Sequence, residues 1–292
     1  MNALLQKLLS RGTVITDGAW GTQIQRLGLE AGGCPDAWNL INPSAVEQVA
    51  RSYVDAGSSL ILTNTFGASR VMLDRHGLAG KAVDLNRAGA VLSRRAAGDK
   101  AFVFGCIGPG GRLLVTGEIG RAELIAAFEE QAFALADGGV HGIVVETMSD
   151  LEEAKIAVAA AKETGLPVVA SMVYDAGKEF DRTMMGTTVE EGAAALAEAG
   201  ADVIGANCGL GIEFFETVTK RLRAATTLPV WIKPNAGLPE VVAGEIVYKT
   251  TPEEFASYAL GIREAGAQFI GGCCGTNPDF IRTLVRTLGG KS

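Results

Sequence analysis

The 292-residue chain has 48% hydrophobic and 20% charged residues, a balance typical of folded globular proteins that excludes an intrinsically disordered chain. It carries 33 acidic against 26 basic residues, so we expect no nucleic-acid partner, because phosphate backbones bind clustered Lys and Arg. No apolar run approaches the ~18 residues of a membrane-spanning helix, and Lys7 lies where a signal peptide would be apolar. The sequence therefore predicts a cytoplasmic protein with no membrane partner.

Short apolar, β-branched runs alternate with helical segments eight times along the chain. Nearly continuous apolar runs are typical of parallel strands that are buried on both faces. The predicted strands are 13–20, 59–66, 101–108, 142–148, 167–174, 201–208, 229–236 and 267–274. The predicted helices are 43–56, 79–97, 121–136, 150–164, 188–199, 212–225, 251–265 and 278–288.

This alternation predicts an α/β protein that forms a single (β/α)8 TIM-type barrel over residues 1–292. Asn-Pro and Thr-Pro pairs precede several predicted helices and Gly follows several of them, as helix caps require. A doubly wound sheet is the competing architecture, but no Pro-, Ser- or charge-rich linker divides the chain. The longer irregular segments 27–42 and 174–187 follow the first and fifth strands, so we expect them to frame the mouth of the barrel.

The five cysteines suggest a metal site. Cys208 ends the sixth predicted strand, while Cys273 and Cys274 end the eighth, so all three lie on the rim where barrel enzymes bind substrates. Only one strand separates them, and three thiolates with an open position describe a catalytic zinc site. Small apolar filler and a vicinal disulfide are the alternatives. Cys34 and Cys106 receive no ligand role, although we expect Cys106 to line the interior.

Other polar residues end predicted strands on the same rim. Asp17, Asn64, Glu146 and Asn235 each follow an apolar run, and a buried carboxylate is costly unless it meets a cation or hydrogen-bond donors. Each could be a structural cap, but their convergence near a metal favours a binding site. The glycine-rich stretch 105–111, which includes Gly108, predicts a tight turn whose N–H groups face a small anion.

Histidine and lysine are two further residue types that can carry chemistry. His76 lies in a predicted turn and His141 precedes a strand at the opposite rim, so neither is assigned a role. Lys233, at the end of the seventh strand, is the candidate Schiff-base residue of a barrel lyase or aldolase. A partly exposed, ion-paired Lys233 is the favoured interpretation.

Five sequence motifs lie at the predicted strand ends. They are Asp17-Gly18-Ala19-Trp20-Gly21-Thr22, Asn64-Thr65-Phe66, Ala206-Asn207-Cys208-Gly209, Pro234-Asn235-Ala236-Gly237-Leu238-Pro239 and Gly271-Gly272-Cys273-Cys274-Gly275-Thr276. These motifs resemble those of the homocysteine S-methyltransferase family over nearly the whole chain, and the resemblance is closest to the homocysteine-binding module of cobalamin-dependent methionine synthase.

The resemblance implies a zinc barrel that methylates the thiol of homocysteine to give methionine. It implies zinc bound by Cys208, Cys273 and Cys274. It also implies that Asp17 and Glu146 hold the substrate ammonium and that Asn235 lies beside the metal. We further expect Asn64 and Gly108 to contact the substrate, and Asn235 to be a fourth zinc ligand that the substrate sulfur displaces.

The methyl donor is expected to be either a small sulfonium or ammonium compound or a separate methyl-corrinoid protein, because the chain ends before the further domains of a full synthase. A non-catalytic homocysteine- or zinc-binding protein stays open beside the lyase as an alternative function.

Overall fold

A computed structural model describes residues 2–242 and 245–289. Its main sheet has eight strands: β1 (Val14–Ile15), β2 (Leu60–Leu62), β3 (Phe102–Ile107), β4 (Gly142–Met148), β5 (Val168–Met172), β6 (Val203–Gly211), β7 (Val230–Asn235) and β10 (Phe269–Ile270). They are all paired in parallel, in the order β1-β10-β7-β6-β5-β4-β3-β2. The Ser59 N–H, directly before β2, donates to the Ile15 carbonyl of β1 at 2.8 Å. The two edge strands, β1 and β2, therefore lie next to each other. The result is a nearly closed (β/α)8 barrel, as the sequence predicts.

A helix follows each strand of the main sheet, and the first seven of these eight helices lie in the crossover connections to the next strand. They are α4 (Pro43–Asp55), α6 (Ala82–Ala97), α7 (Arg121–Asp137), α8 (Leu151–Lys162), α9 (Val189–Glu198), α10 (Phe215–Ala225), α11 (Pro252–Glu264) and α12 (Pro278–Leu288). The side chains of Thr188, Thr251 and Asn277 accept hydrogen bonds from the first turns of their helices. Two helices are predicted to begin at residues 79 and 212. In the structure these positions begin short 3-10 turns, Ala79–Lys81 and Ile212–Phe214, and the α-helices begin after them.

Four short helices were not predicted: α1 (Ala3–Leu9), α2 (Gly21–Arg26), α3 (Trp38–Ile41) and α5 (Arg70–Asp74). Helix α3 lies within the segment 27–42, whereas the segment 174–187 contains only isolated bridges. After β7, β8 (Glu240–Val242) pairs antiparallel with β9 (Glu245–Val247). Within residues 2–242 and 245–289, no helix has the length and apolarity that crossing a membrane requires.

The barrel has an inner and an outer core. The inner core is a cluster of inward-facing strand residues such as Phe104, Val144, Trp231 and Phe269, and helix α1 contributes Leu5 and Leu8 to it. The outer core lies between the strands and the surrounding helices. Because side chains alternate along a strand, the residue two positions after an inward core residue also faces inward. That rule places Glu146 and Lys233 inside the barrel, above Val144 and Trp231.

Candidate active site

A cavity of about 480 Å³ opens at the C-terminal ends of the strands. Its wall includes Cys208, Cys273 and Cys274, together with Glu146 and Lys233. Residues of the turns after β1 and β2 complete it, among them Trp20, Asn64 and Phe66. The polar rim residues and the three thiols therefore share one space, at the face where barrel enzymes carry their sites.

The thiol cluster is the only group of three or more potential metal ligands found among the described residues. Its three sulfur atoms lie within 4.8 Å of one another. Zinc–sulfur bonds of ~2.3 Å in tetrahedral geometry put two sulfurs ~3.8 Å apart, so the cluster fits a zinc ion. Parallel pairing of β7 with its neighbours brings the ligands together, and the Cys273 N–H donates to the Pro234 carbonyl at 2.7 Å.

The electrostatics of the cluster favour a cation. Hydrogen bonds from Cys273 and Cys274 lower the pKa of the Cys208 thiol. The hydrogen bonds to Cys208 raise the pKa of Cys273 and of Cys274. One thiolate therefore forms readily and the next two do not, because like charges this close repel. A divalent cation among the three sulfurs removes that repulsion.

Asn207, which lies in β6, holds neighbouring residues of the site in place through hydrogen bonds. Its buried Oδ1 accepts from the Thr147 N–H at 2.9 Å and from the Ser171 hydroxyl at 2.7 Å, and its Nδ2 donates to the Thr147 hydroxyl at 2.7 Å. Thr147 and Cys208 both have a φ of 62°, a left-handed conformation that costs a non-glycine residue about 1–2 kcal/mol. Such backbone persists only where surrounding contacts hold it, and Asn207 supplies them for Thr147.

Glu146 presents an incompletely satisfied carboxyl group to the cavity. It is 7% exposed, its Oε1 accepts from the Cys106 thiol at 3.1 Å, and its buried Oε2 has no hydrogen-bond partner in the structure. Burial raises the pKa of Glu146, although the charge of Lys233 partly opposes the shift. A buried carboxylate oxygen without a partner invites a cationic ligand group.

Asp17 and Lys233 form a buried ion pair, with Oδ1 and Nζ 2.6 Å apart. The second oxygen of Asp17 accepts from the Trp20 indole at 2.8 Å and from the Leu62 N–H at 2.7 Å. Both oxygens of Asp17 thus have protein partners, and its contact with the substrate ammonium stays a prediction. The ion pair of Lys233 is confirmed, but its expected partial exposure is wrong, since its side chain is 3% exposed.

The charge state of Lys233 does not suit Schiff-base chemistry. Burial lowers the pKa of its ammonium, but the charges of Asp17 and Glu146 outweigh burial and the net shift is upward. A Schiff base requires the neutral amine. The site therefore offers no support for a lyase or aldolase that uses Lys233.

The other predicted contact residues have protein partners. The Asn64 amide lines the cavity and donates to the Pro35 carbonyl at 2.8 Å, which ties the segment 27–42 to the rim. The Gly108 N–H, expected to face an anion, instead donates to the Phe66 carbonyl at 3.0 Å. Gly108 is still required, because a Cβ there would lie 2.7 Å from that carbonyl oxygen. Asn235 donates to the Gly209 carbonyl and accepts from the Cys274 N–H, both at 3.1 Å.

Several residues at the site were not assigned from the sequence. Cys34 and His76, left without a role, line the mouth of the cavity, and Cys106 lines it as predicted. Asn207 and Thr147 were missed altogether. Asn207 had one available signal, since it directly precedes Cys208, but the left-handed backbone of Thr147 leaves no mark in the sequence.

The sequence pattern described as homocysteine S-methyltransferase matches residues 14–288. The chain belongs to the homocysteine S-methyltransferase family. Among curated members, it is 33% identical to the methionine synthases of Mycobacterium leprae (strain TN) and Mycobacterium tuberculosis (strain ATCC 25618 / H37Rv). Each alignment covers 97% of this chain and 25% of the synthase. The chain thus spans about a quarter of the length of these relatives.

Solved structures confirm the fold of this homocysteine S-methyltransferase family member. The metallated form of the homocysteine methyltransferase MmuM from Escherichia coli superposes with a TM-score of 0.80 at 23% identity, covering 97% of this chain and 98% of that one. The oxidised form of MmuM gives a TM-score of 0.82 at 23% identity, covering 98% and 99%.

Proposed function

We propose that this chain transfers a methyl group to the thiol of homocysteine, giving methionine, at a zinc ion held by Cys208, Cys273 and Cys274. The observation that carries the proposal is the convergence of these three thiols on a cavity that also contains the unpaired carboxylate oxygen of Glu146. The homology to methionine synthases supports the same reaction. When bound, zinc would keep the substrate sulfur in its nucleophilic thiolate form.

The protein residues would bind and orient the amino-acid end of the substrate. Glu146, which is 7% exposed, offers its free oxygen to the ammonium in a charge-assisted hydrogen bond. The Asn207 network fixes the neighbouring Thr147 at the end of β4. Orientation of this kind aligns the sulfur with the incoming methyl group, which lowers the entropic cost of transfer.

Metal analysis of a cysteine variant tests the zinc assignment. We expect about one zinc per chain in the wild type and a sharp loss in Cys273→Ala, because two thiolates bind zinc far more weakly than three. Cys34→Ala is the matched control, since Cys34 lies at the mouth of the same cavity but outside the cluster. Full zinc content in Cys273→Ala would refute the assignment.

We also propose that Asn235 is a displaceable fourth ligand. Its Oδ1 accepts one hydrogen bond, from the Cys274 N–H, and a carbonyl oxygen has a second lone pair. Zinc-edge X-ray absorption should then report three sulfurs and one light atom in the resting protein, and four sulfurs with homocysteine. A light-atom shell unchanged in Asn235→Ala would assign that atom to water instead.

The methyl donor is proposed to be a methylated corrinoid protein or a small sulfonium or ammonium compound. A panel of S-methylmethionine, betaine, methylcobalamin and a methylated corrinoid protein, each with homocysteine, tests this. Methionine formation with one member identifies the donor class. If homocysteine binds but no member is turned over, the non-catalytic binding function is the better description.

A further inference from the structure

A second cavity, of about 290 Å³, lies at the opposite end of the barrel from the thiol cluster. It is bounded by helix α1, by the C-terminal end of α6 and by residues at or directly before the first positions of β1, β2, β3 and β4. The residues with ionisable side chains in its wall are Lys7, Arg11, Arg94, Asp99, Lys100 and His141. This space, the basal cavity, takes no part in the proposed reaction.

The basal cavity is basic in a chain that is acidic overall. In the described part of the chain, its wall has one acidic side chain, Asp99, against four cationic ones, Lys7, Arg11, Arg94 and Lys100, whereas the formal charge of the whole chain is -7. None of these four forms a salt bridge with any residue that the structure describes. Positive charge is therefore concentrated here without a protein counter-ion.

His141 and Arg94 meet in the basal cavity with a surplus of donors. The His141 Nδ1 accepts from the Val103 N–H at 2.9 Å, and its Nε2 lies 2.8 Å from Nη1 of Arg94. A neutral imidazole has one donor and one acceptor nitrogen, so Nε2 carries the proton and faces a second donor. Burial and the charges of Arg94 and Lys7 lower the pKa of His141, which keeps the ring neutral. An anionic oxygen beside this contact would accept from both groups.

We propose that the basal cavity binds the phosphate group of a small anion. Arg94 and the Nε2–H of His141 donate to the phosphate oxygens, since a guanidinium presents several donors in a geometry that matches phosphate. Lys7, Arg11 and Lys100 are exposed and supply further positive charge at the rim.

The shape of the basal cavity restricts the size of the anion. Pockets for drug-sized ligands have volumes of about 300–1,000 Å³, so this one is at the lower limit. A nucleic-acid strand would need basic residues along an extended face, whereas these surround one concave space. The ligand is therefore free phosphate or a small phosphate ester.

Titration calorimetry with zinc-loaded protein at ~0.15 M ionic strength tests the proposal. The probes are inorganic phosphate and glycerol 3-phosphate, and we expect saturable binding of about one anion per chain. Arg94→Met should weaken binding about 10- to 100-fold, the loss expected for a hydrogen bond between charged groups. Tighter binding of glycerol 3-phosphate would identify an ester as the ligand, and equal or tighter binding of phosphate would identify the free ion.

Arg95→Met is the matched control. Arg94 and Arg95 both lie in the last turn of α6, but Arg95 pairs with Glu47 and does not line the cavity. Losing the same charge one position away should change the Kd less than about 2-fold, because water and salt screen charges that do not touch the ion. Lys100→Met should also weaken binding, and its exposed position keeps the fold intact.

Thermal unfolding gives a second measurement of binding. Lys7 lies in α1, Arg94 in α6 and His141 directly before β4, so the unfolded chain has no such site. A ligand that binds only the folded state raises Tm as its concentration rises. Phosphate should therefore raise the Tm of the wild type and of Arg95→Met more than that of Arg94→Met, a difference that general stabilisation by phosphate does not produce.

The imidazole NMR signals of His141 report the contact directly. The chain has two histidines, and a His76→Gln variant assigns their signals. Saturating phosphate should shift the His141 signals and raise the pKa of His141, because the anion offsets the charges of Arg94 and Lys7 that lower it. The signals of His76, which lines the other cavity, should not move.

Three results would overturn the proposal. They are no saturable binding of either probe, equal affinity in Arg94→Met, Lys100→Met and Arg95→Met, and His141 signals that do not move at saturation. Cys273→Ala should bind phosphate as the wild type does, since the thiol cluster lies at the other end of the barrel. Loss of phosphate binding in Cys273→Ala would instead assign the anion to the zinc site.

Discussion

Removing one member of the Asp17–Lys233 pair should destabilise the fold far more than removing both. In Asp17→Asn the ammonium of Lys233 stays buried without its carboxylate partner, and in Lys233→Met the Asp17 carboxylate stays buried with only the Trp20 indole and the Leu62 N–H as donors. Each single variant retains an uncompensated charge in the interior, whereas the double variant retains none.

The magnitude follows from the burial of the pair. Side-chain exposure is 3% for Lys233 and 0% for Asp17, and breaking a fully buried pair by deleting one partner costs about 3–5 kcal/mol. For a chain of this length, 1 kcal/mol lowers Tm by about 2 °C. Each single variant should therefore melt about 6–10 °C below the wild type. Replacing both charges is often nearly neutral, so the double variant should recover most of that loss.

Thermal unfolding of the four proteins, followed by circular dichroism at one protein concentration, measures this cycle. Lys220→Met is the control, because Lys220 pairs with Glu216 on the surface, where an ion pair contributes at most about 1 kcal/mol, and Tm should fall by less than about 2 °C. A double variant whose loss equals the sum of the two single losses would show that the charges act independently. That result would refute the reasoning from the ion pair.

Two further predictions concern the walls of the cavity. Glu146→Gln should raise the KM for homocysteine about 10-fold or more, since a charge-assisted hydrogen bond is replaced by a neutral one. In the wild type, the KM for homocysteine should also rise as pH falls. Burial raises the pKa of Glu146, and the protonated carboxyl group cannot form an ion pair with an ammonium. An identical pH profile in Glu146→Gln would contradict this. Asn207→Ala should lower kcat and destabilise the protein by about 2–4 kcal/mol, since three hydrogen bonds that hold Thr147 and Ser171 are lost. Urea denaturation and steady-state kinetics test this, with Ser171→Ala, which removes only the hydrogen bond from the Ser171 hydroxyl, as the milder comparison.

Local sequence patterns predicted the repeating architecture well. Apolar runs and helix caps act over a few residues, so the eight strand–helix units and the helix starts at Thr188, Thr251 and Asn277 could be predicted. Strand length was overestimated at the barrel ends, where β1 has two residues instead of eight. Beyond Asp17 the backbone bonds to side chains and no longer to a strand: the Ala19 N–H donates to the Thr276 hydroxyl at 3.1 Å, and the Ala19 carbonyl accepts from the Tyr53 hydroxyl at 2.5 Å.

The grouping of the three cysteines could also be predicted, because parallel strands place their C-terminal ends on one rim whatever their side chains are. The contacts that each polar residue makes could not be predicted. Asp17 and Lys233 are 216 positions apart, and only the folded barrel brings the Lys233 ammonium within 2.6 Å of the Asp17 carboxylate. The Asp17 carboxylate, expected to face the substrate, therefore binds Lys233, and Lys233, expected to be partly exposed, lies in the interior. The reason is that strand register determines which residues meet across a barrel, and register cannot be read from neighbouring residues in the sequence.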